Sequence, residues 1–263
     1  MPDDNPESRL IAWPRRALDG LLHHWRAIER EGLEERVLLK GRFDGRPLGV
    51  LILVALVLVG EEYGGDRPTF AALFPAVRSE WYQLAELAWW SGAKVVGYLL
   101  IPALVAKAVG WRLGELGLSW RGLGRHLWIY GVLYLAILPA LIIASRTRPF
   151  LATYPFYHLA SRSRFDLLAW EAMYGATFVS LEFFFRGFML FSLRRTLGPH
   201  AIFVMAVPYC MIHFHKPLAE VIGAIFAGIL LGTLALRTRS IWGGVLLHVA
   251  VAWTMDLLAL SQR

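Results

Sequence analysis

Apolar residues in this chain gather in long runs separated by short polar links, without the strict alternation or narrow one-sided stripe of a soluble domain. The first run, Pro47 to Gly60, is short and is closed by Glu61 and Glu62. The second covers about Leu84 to Val109, with Glu86 and Lys94 inside it, and the third, His126 to Ala144, is the cleanest. Four more follow: Leu167 to Leu193, Ala201 to Phe214, Leu218 to Leu236 and Ile241 to Leu260. Several approach the ~20 residues that a helix needs to cross a bilayer. The short links at Gly198-Pro199, Lys216-Pro217 and Arg237 to Ser240 make sequential helices antiparallel neighbours. The pattern predicts an all-α polytopic transmembrane bundle of about seven spans over residues 47–263.

Residues 1–46 differ. They are charged, with Trp13, Leu18, Leu21, Leu22, Trp25 and Ile28 at helix-like intervals. The expectation is an amphipathic N-terminal segment that lies on the membrane surface or packs on the membrane domain. It lacks the apolar stretch and small-residue cleavage site of a removable leader, which leaves insertion to the first membrane helix. Between Ser145 and Asp166, four arginines, two prolines and several aromatics predict an interfacial loop or surface helix.

Composition agrees: 57% of the 263 residues are hydrophobic, more than a soluble core of this size requires, so lipid solvates much of the chain. The net charge of +7 comes from arginines placed between apolar runs, where they anchor helix ends against headgroups. No basic face interleaved with aromatics suggests nucleic acid. The loops carrying Arg112, Arg121 and Arg125, then Arg194 and Arg195, then Arg237 and Arg239, fall on the side of the N-terminus, which makes that side cytoplasmic by the positive-inside rule. The single cysteine, Cys210, excludes intrachain disulfides and thiolate zinc clusters.

Three ionisable residues stand inside the C-terminal runs: Glu182, His213 and His248. Arg186 follows Glu182 by four residues on the same helical face, which lowers the cost of burying either charge. Glu182 lies sixteen residues before Gly198 and His213 fifteen after it. In a hairpin turning there, both sit ~23 Å from the turn, at equal depth. His248 is nine residues beyond Arg239, a depth of ~13 Å, and is preceded by Gly243 and Gly244, which permit close backbone approach. A carboxylate and an imidazole at one depth activate a water, and a second imidazole stabilises the oxyanion. The same three side chains also suit a zinc ion with one open position. Both mechanisms fit the residues.

These residues carry a resemblance. The chain is similar to the CPBP or Abi family of intramembrane proteases, which process CaaX proteins and bacteriocins and carry Glu-Glu-x-x-x-Arg, Phe-x-x-x-His and His-x-x-x-Asn or Asp on successive helices. The counterparts here are Leu181-Glu182 with Arg186, Tyr209 with His213, and His248 with Ala252, over about 167–260. The resemblance implies an integral protein of a bacterial cytoplasmic membrane that cleaves a membrane-anchored protein or peptide. Its catalytic residues would be Glu182, His213 and His248, supported by Arg186, Tyr209 and Asp256, with zinc as the cofactor if a metal is used. Leu181 replaces the first glutamate and Ala252 the late polar residue, so Glu182 is the motif's only acid and Asp256 a candidate substitute for the second. Those replacements also fit a non-catalytic scaffold or immunity-type binding protein. A proton-relaying transporter is a third reading, for which the chain lacks paired broken-helix repeats.

Overall fold

The computed structural model describes residues 19–20, 22–31, 33–34, 45–75, 79–120, 123–214 and 216–262. The chain is an all-α polytopic bundle, with no strand among the described residues. Its main helices are α1 (Arg46–Tyr63), α2 (Arg67–Leu73), α3 (Tyr82–Ala108), α4 (Leu123–Ala144), α5 (Arg164–Leu197), α6 (His200–Met211), α7 (Leu218–Thr238) and α8 (Trp242–Leu260). Five of them, α3, α4, α5, α7 and α8, are long and apolar enough to cross a membrane. The pair α1 and α2, bent by 55°, makes a sixth if it is one broken span. The expected seventh span is α6. It has 12 residues, or ~18 Å of helix, well short of a ~30 Å hydrocarbon core.

Helix α5 is the centre of the bundle. Of its most apolar window, 78% is buried inside the protein, against 6% for α4, whose leucines and isoleucines are left for lipid. A helix that is apolar on every side has to be surrounded, and every residue from Phe183 to Leu190 is buried. That stretch is π-helical, as is Val95–Leu100 in α3. The two wider stretches pack together through Tyr98, which stacks on Phe184 at 4.7 Å between ring centres. Pro102 explains the one in α3, because it has no N–H for the carbonyl four residues back.

The links set the register. Gly198 turns α5 into α6 with φ +55°, a left-handed conformation suited to glycine. Gly117, at φ +80°, lies against Ile241 and Phe191, and its carbonyl accepts from the Ile241 backbone N–H. Beside it Trp120 stacks on Trp242 at 3.8 Å, so the link before α4 is tied to the start of α8. The expected surface segment holds a short helix, Arg148–Thr153, and its Arg162 and Tyr157 both bond Asp166 at the start of α5. Burial and the hydrogen bond to Asp166 push the Tyr157 hydroxyl up to about 12.

Of the amphipathic N-terminal segment, residues 22–31 are helical. Ile28 is buried in the core, and Trp25 donates to Thr233 Oγ1 of α7 at 3.4 Å. That helix packs on the membrane domain. Trp13, Leu18 and Leu21 lie outside the described residues, as does His215 beside the Lys216-Pro217 link.

Candidate active site

Glu182 ends the α-helical part of α5, one residue before the π-helical stretch. Its side chain is 1% exposed, and Oε1 lies 2.7 Å from His248 Nδ1 of α8 and 3.1 Å from an Arg186 guanidinium nitrogen. Arg186 is also fully buried and lies over the ring of Tyr209 in α6, 3.8 Å from its centre. A buried carboxylate between a cation and an imidazole keeps its charge at a depth where an isolated one is costly.

The other face of His248 meets Tyr209. The Tyr209 hydroxyl lies 3.1 Å from His248 Nε2, and Phe178 stacks on the imidazole at 5.6 Å with planes 10° apart. In the tautomer that carries its proton on Nδ1, Nε2 accepts from the hydroxyl; in the other, Nε2 donates to it. Gly243 and Gly244 set this approach. A side-chain carbon on Gly244 would lie 2.5 Å from Glu182 Oε2, and one on Gly243 would collide with the ring of Tyr130. Only glycines let α8 come this close to α5 and α4.

His213 enters through Tyr209. Its ring packs edge-on against the tyrosine at 4.8 Å, and its Nδ1 lies 2.8 Å from the Tyr209 carbonyl. A carbonyl only accepts, so Nδ1 carries the proton and Nε2 presents a lone pair. Glu182 and His213 form no ion pair. The four side chains make a sequence of contacts, Glu182 to His248 to Tyr209 to His213, across α5, α8 and the end of α6.

Residues 163–254 match the family model described as Type II CAAX prenyl endopeptidase Rce1-like. Over that segment the C-terminal helices are similar to this family. No curated protein and no solved structure matches the chain significantly. The Rce1-like segment starts at the cap of α5 and ends within α8, and so includes Glu182, Arg186, Tyr209, His213 and His248. Several apolar helices long enough to cross a bilayer, together with this match, support an integral membrane protein.

The two motif departures, Leu181 and Ala252, both pack in apolar surroundings. Leu181 packs against the main apolar core, and the neighbouring Glu182 is the residue directed at His248. Ala252 is buried in a second apolar cluster with Trp170 and Tyr174. Asp256, two turns beyond His248, is fully buried and accepts from Trp170 Nε1 at 2.6 Å, which anchors α8 to α5. Glu220 stands in the first turn of α7, held by Lys216 and Tyr154, each at 2.6 Å. Phe178 and Tyr130 are the contacts that sequence reasoning missed. Phe178 precedes Glu182 by one turn, a spacing that places both on one face.

The Glu182–His248 contact is closer than two ligands of one zinc ion would stand. Two zinc ligands at ~2.0–2.1 Å in tetrahedral geometry stand roughly 3.3 Å apart, whereas Glu182 Oε1 and His248 Nδ1 approach to 2.7 Å. Among the described residues no three His, Cys, Asp or Glu side chains converge as a metal-binding group.

Proposed function

We propose that this protein is an intramembrane endopeptidase of the CaaX-protease and bacteriocin-processing type, which cleaves a membrane-anchored protein or peptide with a water activated by Glu182 and His248. It acts in a bacterial cytoplasmic membrane, with its N-terminus on the cytoplasmic side. The observation that carries this reading is the 2.7 Å approach of Glu182 Oε1 to His248 Nδ1 inside the bundle.

The carboxylate fixes the imidazole's tautomer and stabilises the imidazolium that forms when Nε2 takes a proton. The His248 side chain is 16% exposed, so solvent reaches the imidazole while Glu182 stays enclosed. Water attacks the scissile carbonyl, its proton passes to His248 Nε2, and His248 then delivers that proton to the leaving amine. The Tyr209 hydroxyl, 3.1 Å from Nε2, moves from the imidazole to the oxyanion as a hydrogen-bond donor. His213 holds the attacking water through its Nε2 lone pair. The second histidine, His248, is the oxyanion donor in the reading from sequence; in this proposal it moves the proton, and the Tyr209 hydroxyl takes the oxyanion role.

A second reading, a catalytically silent scaffold on the same fold, is favoured by one observation. Glu182 is almost wholly enclosed and paired with Arg186, as a structural ion pair would be. The two readings separate in a proteolysis assay of a membrane-anchored substrate with purified wild type, Glu182→Gln, His213→Ala and His248→Ala, with and without chelator. Turnover lost in the variants supports the peptidase. Unchanged turnover in all three overturns the assigned residues, and no turnover by wild type across a broad substrate set favours the scaffold. Chelator-sensitive turnover restored by zinc would move the hydrolysis onto a metal.

A further inference from the structure

At the end of the bundle where α5 and α7 finish, a cavity of about 390 Å³ opens beside the first residue of α1. Four arginines from three separate parts of the chain line it: Arg46 at the start of α1, Arg194 and Arg195 in the last turn of α5, and Arg239 just after α7. Its wall is apolar, made by Trp111, Leu116 and Phe191. Ser192 also lines it. That side chain is 9% exposed, yet its hydroxyl makes no hydrogen bond among the described residues. A buried hydroxyl without a partner is uncommon, because its desolvation is then uncompensated.

We infer that this cavity binds the phosphate of an anionic phospholipid, with the Ser192 hydroxyl and the surrounding guanidiniums as its donors. Guanidiniums match phosphate oxygens with paired N–H groups, and basic pockets between the ends of membrane helices are where lipid headgroups are recognised. The cavity's lining comes from the ends of four apolar helices, so it stands at headgroup level, and its apolar wall suits the glycerol and upper acyl carbons. Exposed carboxylates pair with these arginines, Glu31 and Glu115 among them. Glu31 reaches Arg239 at 2.8 Å and Arg194 at 3.5 Å, and Glu115 lies 3.7 Å from Arg195. Water-exposed pairs of this kind are weak, so a phosphate can join or replace them. Ser192 is ten residues beyond Glu182, ~15 Å along the helix, which separates this site from the candidate active site.

The test is lipid retention by the full-length protein, read by native mass spectrometry after release from nanodiscs of phosphatidylcholine doped with phosphatidylglycerol. Wild type is expected to retain phosphatidylglycerol over phosphatidylcholine. The double variant Arg195→Gln/Arg239→Gln should lose about 30-fold of that preference, and Ser192→Ala a smaller part. Glu115→Gln removes a competing carboxylate and should strengthen retention, an effect that misfolding cannot produce. Equal retention of both lipids by wild type, or an unchanged preference in the double variant, would overturn the inference. So would full displacement of the lipid by an equal concentration of inorganic phosphate, which would make this a site for the free anion.

Discussion

Glu182 and His248 meet at 2.7 Å although α6 and α7 separate their helices in the chain. What brings them together is small. Gly244 leaves a space beside the carboxylate that no larger residue could share. Substitution Gly244→Ala is therefore expected to displace Glu182 and to lower turnover by ~10-fold or more, with an overpacking cost of about 1–3 kcal/mol. Cleavage rate and thermal unfolding of the same preparation check this. An alanine variant with wild-type turnover would show that the close approach is not needed.

The Glu182–Arg186 pair leads to a stability prediction. Replacing Arg186 by leucine leaves a fully enclosed carboxylate without its cation, at an expected cost of about 3–5 kcal/mol. Removing both charges, in Arg186→Leu/Glu182→Leu, should restore most of that loss. Unfolding of the two single variants and the double variant in detergent measures the coupling. Additive losses would contradict it.

Much of the fold could be read from the chain, because lipid demands long apolar runs and these are unmistakable in one dimension. The span count was less legible. Ala201 to Phe214 is apolar enough for a span, and only its helical length, set by Pro208 and the turn after Met211, marks it as too short. In the site, Glu182 and His213 stand at equal depth in the sequence, but Tyr209 stands between His213 and the rest. His248, ~13 Å beyond Arg239, stands at a different depth in the sequence from Glu182 and His213, which are ~23 Å from Gly198. Arg194 and Arg239 both reach Glu31, so they are at one level. From there Glu182 and His248 are twelve and nine residues away, ~18 and ~13 Å in ideal helix. The π-helical stretch winds more residues into each turn and shortens the longer path. No periodicity in the sequence announces that stretch.

Tyr209 links both histidines, and its hydroxyl can be removed alone. Tyr209→Phe keeps the ring under Arg186 and deletes the contact to His248 Nε2. The expected result is a fall in kcat, of ~10²-fold if the hydroxyl serves the oxyanion, with little change in KM. Steady-state kinetics distinguish this from a substrate-binding role, for which KM would rise instead.

Leu181 tests whether the missing first glutamate matters. Its side chain packs on the main apolar core, so Leu181→Glu places an unpaired carboxylate among apolar side chains. It should lower the unfolding temperature without raising turnover. A gain in turnover would mean that position 181 can reach the site and that Glu182 is not the working acid.

The most direct measurement compares wild type with Glu182→Gln in cleavage of a membrane-anchored substrate, both purified and both shown to be folded. Gln keeps the size of the side chain and removes the charge that orients and stabilises His248. The expected result is turnover by wild type and a loss of ~10²-fold or more in the variant. Wild-type turnover in Glu182→Gln would contradict the Glu182–His248 pair as the source of activated water.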